Sequence, residues 1–288
     1  MKIKKAIVAV AGSGTRLLPA TKSMPKEMLP LIDKPIIQIL VEELMEAGIK
    51  DIILVTKWDK KPLEDHFDHS AALLNDLKKS GKDELYEKVD RISKMANFIY
   101  VRQIPKYGNG MPILSAASLV ENEPFVYCYG DDIVKSKTSF TKKMVEEFEK
   151  NGKSILGAQE VPEDEVDRYG IAKIKEGTSE IEDVIEKPPV DKAPSRLALF
   201  GRMILNQGIV DALRNTEPGK DGEVWVTDAI KNYIEAGNVC HVQKVLDGKW
   251  MTTGDPLNYL KAILAYAEDR PELKAYLKEY LKEIEQIS

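Results

Sequence analysis

Short apolar runs alternate with amphipathic ones along the first half of the chain. Ala6-Ile7-Val8-Ala9-Val10 is β-branched and unbroken by polar residues, the pattern of a parallel strand buried on both faces. Runs of this kind predict strands at 3–10, 51–56, 98–102 and 124–129. Between them, apolar residues at helical spacing predict helices at 35–47, 62–77, 112–119 and 139–150. Pro35, Pro62 and Pro112 each suit a first helical turn, where a missing N–H does no harm, and Gly48 suits the end of the first helix. The second half is richer in strands, at 154–160, 171–174, 181–186, 198–205 and 239–245, with Pro188-Pro189 and Pro194 in an irregular loop. After Pro271, Leu273, Tyr276, Leu277, Tyr280, Leu281, Ile284 and Ile287 recur at helical spacing. That stripe fits either a helix docked on its own subunit or a contact with a second copy.

Alternating strands and helices predict an α/β fold: a Rossmann-like mixed, mostly parallel central sheet flanked by helices, with C-terminal helices. No linker or shift in composition divides the chain. Residues 1–288 therefore read as a single domain, with 256–288 as a C-terminal helical segment.

Composition narrows the function. The 288 residues are 31% charged and 43% hydrophobic, as in a globular protein with a substantial core. A net charge of −5 argues against a nucleic-acid partner. No apolar run reaches the ~20 residues of a membrane span, so no membrane partner is expected. Met1-Lys2-Ile3-Lys4-Lys5 leads straight into a strand rather than a signal sequence, which predicts a cytoplasmic location. Cys128 and Cys240 fall in strand-like runs and read as reduced core thiols. His66 and His69 stand three apart on a predicted helix without a third ligand, so they read as surface or packing residues.

The chemistry begins where the first strand ends, at Gly12-Ser13-Gly14-Thr15-Arg16, with Lys26 ten residues on. Glycines let backbone N–H groups approach a phosphate, and the cations neutralise its charge. Two familiar phosphate motifs do not fit. No Gly-x-x-x-x-Gly-Lys-Ser/Thr string starts at Gly12, and Leu17 stands where a dinucleotide fingerprint needs a small residue. Pro19 and Pro25 exclude a regular helix directly after the strand, leaving a long basic loop. Gly130-Asp131-Asp132 follows another predicted strand, where carboxylates point into the ligand crevice of an open α/β sheet.

The string Gly-x-Gly-Thr-Arg-x-Leu-Pro-Ala-Thr-Lys-x-x-Pro-Lys-Glu-Met-Leu-Pro-Leu-x-Asp-Lys-Pro, from Gly12 to Pro35, resembles the signature of the sugar-1-phosphate nucleotidylyltransferases. Val101-Arg102-Gln103, Gly130-Asp131-Asp132, Tyr169-Gly170, Glu186-Lys187-Pro188, Gly201-Arg202, Glu223 and Thr227-Asp228-Ala229 resemble further segments of that family, in order. The likeness reaches to about residue 265 and is greatest to the bacterial and archaeal UTP–glucose-1-phosphate uridylyltransferases, or UDP-glucose pyrophosphorylases. It implies a single nucleotidyltransferase domain of the nucleotide-diphospho-sugar transferase type. It also implies uridylyl transfer from UTP to glucose 1-phosphate, a Mg²⁺ cofactor, and a homodimer or homotetramer. Alternatives are a thymidylyltransferase, another sugar-1-phosphate nucleotidylyltransferase, or a non-catalytic regulatory protein that binds sugar nucleotides.

The resemblance also implies roles for residues. Arg16 and Lys26 are the catalytic cations: a guanidinium can grip the leaving pyrophosphate bidentately, and an ammonium is a point charge for the α-phosphate. Ala11, Gly12, Gly14, Gln103 and Gly110 are expected at the nucleotide, with the Gln103 amide suited to a pyrimidine edge. Asp131 is the expected metal ligand. Tyr169, Gly170, Glu186, Lys187 and Asn206 are expected at the sugar phosphate, Glu186 on hydroxyls and Lys187 on the phosphate. Two positions depart from the family. Gly108-Asn109-Gly110-Met111-Pro112 stands where the family commonly has Gly-Leu-Gly-His-Ala, which touches base preference. Thr252 stands where the family has an aspartate that completes the metal site, and a hydroxyl is a poorer Mg²⁺ ligand than a carboxylate. Either Asp131 and substrate phosphates suffice with Thr252 acting through water, or Asp132 or Asp255 shifts in, or turnover is weak.

Overall fold

The computed structural model describes residues 2–104 and 107–287; Met1, Pro105, Lys106, Ser288 and the side chains of Lys220, Gln286 and Ile287 lie outside that description. The first half runs β1 (Lys5–Ala9), β2 (Pro30–Leu31), β3 (Lys34–Pro35), α1 (Ile36–Glu46), β4 (Asp51–Thr56), α2 (Lys61–Phe67), α3 (Ala71–Lys79), α4 (Asp83–Ser93), β5 (Asn97–Arg102), α5 (Met111–Ala116), β6 (Phe125–Tyr129), β7 (Asp132–Ser136) and α6 (Phe140–Asn151). The second half runs β8 (Ser154–Glu160), β9 (Gly170–Ile174), β10 (Ile181–Glu186), β11 (Leu197–Leu205), α7 (Gln207–Arg214), α8 (Val226–Glu235), β12 (Cys240–Lys244), β13 (Gly248–Thr252), α9 (Pro256–Ala267) and α10 (Pro271–Ile287).

Among the described residues, nine strands form one mixed sheet in the order β10-β9-β11-β6-β1-β4-β5, with β8 against β11 and β12 against β8. Strands β6, β1, β4 and β5 are parallel. Strand β11 then runs antiparallel to β6, β8 and β9, and gathers the second half around itself. Both faces are covered, which is why β1 carries no polar residue between Ala6 and Ala9. Val8 faces a core with Ile37, Leu40 and Phe140, while Ile7 faces one with Ile53, Met111 and Tyr127.

Local signals account for several boundaries. Ile36, Ile37, Leu40, Val41 and Leu44 bury one face of α1, and Gly48 beyond its end takes φ +85°, a left-handed conformation that glycine adopts without strain. Ser139 caps α6 by accepting from Lys142 N at 3.1 Å. The helix expected over 62–77 is two helices, because Asp68 accepts from the His69 backbone N–H at 2.9 Å in the break. His69 therefore lies outside any helix, and the predicted three-residue spacing of His66 and His69 on one helix is not realised.

Candidate active site

From β1 the chain winds outward through β4 and β5, then returns to β6 on the opposite flank of β1. A reversal of this kind opens a crevice beyond the carboxyl ends of the two central strands. The loop after β1 and the turn after β6 both enter it. Gly130 makes their approach possible: a Cβ there would lie 2.6 Å from Val10 Cγ1 and 3.1 Å from the Ala9 carbonyl oxygen. The crevice is a cleft of about 1010 Å³, in the range of small-molecule sites. Of the residues expected at the site, it is lined by Ala11, Gly12, Arg16, Lys26, Gln103, Asp131, Tyr169, Gly170, Glu186 and Lys187.

Three expected residues are placed elsewhere. Gly14 does not line the cleft. It turns the loop at φ +65°, and its carbonyl accepts from Thr21 Oγ1 at 2.8 Å. Gly110 faces the body of the protein, where a Cβ would lie 2.7 Å from the Leu213 side chain. Asn206 is the clearest correction. Its Oδ1 caps α7 by accepting from Ile209 N at 3.2 Å, and its Nδ2 donates to the Tyr233 hydroxyl at 3.1 Å. It lines a separate hollow of about 410 Å³ and not the main cleft. The neighbouring departure from the family, Asn109, is a brace. Its Oδ1 accepts from Val226 N at 2.8 Å and its Nδ2 donates to the Tyr129 hydroxyl at 2.7 Å.

At the floor, Lys26 Nζ donates to Asp131 Oδ2 at 2.5 Å. Burial opposes charge on both groups, but each stabilises the charge of the other, so Lys26 is held above and Asp131 below its ordinary range. Asp132 also lines the cleft, with Oδ2 accepting from Gly201 N at 2.8 Å. Burial, and then the adjacent Asp131 charge, push its carboxyl up to about 6. The fully buried Arg202 holds this turn in place, pairing with Glu43 at 2.8 Å and donating to the Asp132 carbonyl at 3.2 Å.

β13 lies antiparallel to β7 with Thr252 opposite Asp132. A Cβ built on Gly254 would lie 2.8 Å from Asp131 Oδ2, 3.0 Å from Arg16 Nη2 and 3.6 Å from Thr252 Oγ1. Carboxylate, guanidinium and hydroxyl thus converge on one point. Among the described residues no three His, Cys, Asp or Glu side chains gather as a metal site. Asp255 does not supply the missing carboxylate, because it caps α9 through Asn258 N at 3.0 Å and pairs with Arg168 at 2.8 Å. Asp132 is engaged with Gly201. One carboxylate and one hydroxyl fit a magnesium ion that takes most of its ligands from phosphates and water.

Elsewhere in the lining, Thr227 Oγ1 donates to Glu186 Oε2 at 2.7 Å, and a Cβ on Gly170 would lie 2.6 Å from Thr227 Cγ2. Lys187 Nζ stands 3.9 Å from the centre of the Trp225 ring. Sequence reasoning missed the parts played by Thr227, Trp225 and Glu27. Glu27, wholly buried, pairs with Lys60 at 2.9 Å beneath Lys26, and burial pushes its carboxyl up. Its place beside Lys26 in the Gly12–Pro35 string was the available signal.

The chain is matched by the model of a family described as nucleotidyl transferase over residues 5–269. The UTP–glucose-1-phosphate uridylyltransferase of Staphylococcus epidermidis is 43% identical over 287 residues, 99% of each chain. That of Staphylococcus haemolyticus is 44% identical over 286 residues, 98% of this chain and 99% of its own. A solved UDP-glucose pyrophosphorylase in complex with UDP-glucose superposes with a TM-score of 0.82 at 39% identity, over 93% of this chain and 100% of that one. A UTP-bound UGPase from Acinetobacter baumannii gives 0.88 at 34% identity, over 98% and 99%. A continuous match in sequence and fold, with the basic loop and Asp131 meeting in the crevice, means that the chain belongs to the nucleotidyl transferase family.

Proposed function

We propose that this protein transfers the uridylyl group of UTP to glucose 1-phosphate, forming UDP-glucose and pyrophosphate. The observation that carries the reading is that one cleft joins Arg16, Lys26 and Asp131 to Glu186 and Lys187. The relatives named above support UTP and glucose 1-phosphate as the substrates. The attacking group is an oxygen of the sugar phosphate. Its bond to the α-phosphorus forms as the bond to pyrophosphate breaks, so no protein nucleophile is needed. Arg16 grips the departing phosphates and Lys26 neutralises the α-phosphate. Gln103 and the backbone at Ala11 and Gly12 hold the nucleotide. Glu186 and Tyr169-Gly170 take the hexose, and Lys187 its phosphate. Mg²⁺ is the proposed ion, held by Asp131 with Thr252 through water; it supplies charge neutralisation between the phosphates.

Residues 1–288 act as one nucleotidyltransferase domain, with 256–288 as its C-terminal helical segment. Continuity of the mixed sheet through both halves supports this. A homodimer or homotetramer is supported by α10, where Tyr276, Tyr280 and Leu281 are exposed on the predicted stripe. Among the described residues no helix is long and apolar enough to cross a membrane. A cytoplasmic place of action suits the buried free thiols of Cys128 and Cys240.

Pyrophosphate release, measured over a grid of nucleoside triphosphates and hexose 1-phosphates with Mg²⁺, tests the reading. UTP with glucose 1-phosphate should give the highest kcat/KM. A preference for dTTP would make the protein a thymidylyltransferase. UDP-glucose binding without turnover of any pair would make it a sensor.

A further inference from the structure

Trp225 lies just ahead of α8, is buried, and still lines the cleft. Its indole face carries the Lys187 ammonium, 3.9 Å from the ring centre, well inside the range of cation–π attraction. Lys187 is itself set unusually. Its backbone takes φ +43°, in the left-handed region that side-chain-bearing residues rarely adopt. Its N–H donates to the Tyr169 carbonyl at 3.0 Å, which pins the residue at the end of β10. Two residues after Trp225, Thr227 holds Glu186 by the 2.7 Å hydrogen bond. The start of α8 therefore supports both members of the Glu186–Lys187 pair, one by a hydroxyl and one by a ring face.

An unsupported lysine spends much of its time away from any one position, and fixing its side chain on binding costs rotamer entropy. An ammonium already resting on an indole loses less. We propose that Trp225 is a positioning residue for the sugar phosphate, its indole face holding the Lys187 ammonium where the phosphate of the hexose 1-phosphate docks. The inference rests on the reading of Lys187 as the sugar-phosphate cation. Trp225 acts through Lys187 and contributes to affinity for one substrate only.

The test is steady-state kinetics of Trp225→Leu, Trp225→Phe, Lys187→Ala and the Leu/Ala double variant, varying each substrate in turn. Trp225→Leu should raise KM for glucose 1-phosphate about 3- to 10-fold, the range of a partly desolvated cation–π contact, and leave KM for UTP unchanged. Trp225→Phe keeps a weaker ring face and should recover only part of that loss. In the Lys187→Ala background, Trp225→Leu should add nothing further. If Trp225→Leu does not fold, the Phe variant carries the test. Its weaker ring face should still raise KM for glucose 1-phosphate alone, and an unchanged value overturns the proposal. Equal weakening of both substrates, or the same rise without Lys187, would make Trp225 a packing residue and overturn it. A lowered KM would mean that the ring withholds Lys187, which also overturns it. An unchanged KM in Lys187→Ala would instead remove the sugar-phosphate reading of Lys187 itself.

Discussion

The Lys26 ammonium lies 2.5 Å from Asp131 Oδ2, joining the loop after β1 to the turn after β6 across the crevice floor. The pair gives Lys26 two duties that mutation can separate. Lys26→Ala removes charge stabilisation of the α-phosphate and should lower kcat by about 10²- to 10³-fold, the usual cost of losing a preorganised transition-state donor. It also strands a buried carboxylate and should destabilise the fold. Lys26→Ala combined with Asp131→Asn should recover much of the lost thermal stability and none of the activity. Near-normal turnover in Lys26→Ala would end its assignment as a catalytic cation.

Glu186 accepts from Thr227 and lines the cleft. Glu186→Ala should raise KM for glucose 1-phosphate about tenfold, on the order of one or two charged hydrogen bonds, and leave KM for UTP unchanged. Comparable weakening of both substrates contradicts its place at the hexose.

Much of this site was legible because its parts are local. Gly12, Arg16 and Lys26 follow the unmistakable apolar run of β1, and Asp131 follows that of β6, so strand recognition alone put them at one end of the sheet. Asn206 misled because an asparagine after a strand serves equally as a helix cap, and which use prevails depends on Ile209 and Tyr233. Trp225 and Thr227 gained roles only through a fold that brings α8 against β10. Short β7 and β13 pair only with each other, and their buried apolar residues are just Ile133, Val134, Trp250 and Met251 among polar neighbours, too brief a run to mark a strand; α4 buries no residue at all. Helices α7 and α8 are short and stand between strands, so the helical spacing of Val226, Ala229 and Ile230 extends over too few turns to stand out.

His66 supplies a pH dependence unrelated to catalysis. It is half-buried in α2, bonds Gln38 Oε1 through Nε2 at 3.1 Å, and burial lowers its pKa below 6.5. A base with a lowered folded pKa is neutral in both states above 6.5, where its full contribution is present. As pH falls below 6.5, the unfolded chain takes up a proton that the folded imidazole resists, and stability is lost until the folded pKa is passed. His66→Gln keeps a donor for Gln38 without titrating. Its melting temperature should fall less than that of the parent between pH 7 and pH 5, and parallel curves would remove His66 as the source.

The exposed stripe on α10 predicts assembly. Tyr276 is 62% and Leu281 58% exposed, so this part of the stripe is uncovered within the subunit. Light scattering after size exclusion should give a dimer or tetramer mass, and Tyr276→Asp with Leu281→Asp should lower it to that of the monomer with the fold retained. A monomeric parent would refute the homo-oligomer.

Thr252 is the proposed second partner of the metal. It lies opposite Asp132 on β13 and shares a point of convergence with Asp131 and Arg16. With one carboxylate there, metal affinity in the nucleotide complex should be low. Thr252→Asp places a second anion beside the first. Coulomb's law gives roughly 1 to 4 kcal/mol for such a charge at about 4 Å, so the apparent Mg²⁺ affinity of the UTP complex should tighten about tenfold or more. Without metal the same anion repels Asp131 and the triphosphate, so the variant should be less stable and bind UTP more weakly in chelator. Manganese binding in the UTP complex, followed by its magnetic resonance signal, reads the ion directly, alongside turnover across Mg²⁺ concentrations. Tighter metal binding with turnover retained supports a site shared by Asp131 and position 252. Lower turnover at every Mg²⁺ concentration, together with weaker UTP binding, would show that the ion does not lie between them and that position 252 belongs to the phosphates instead.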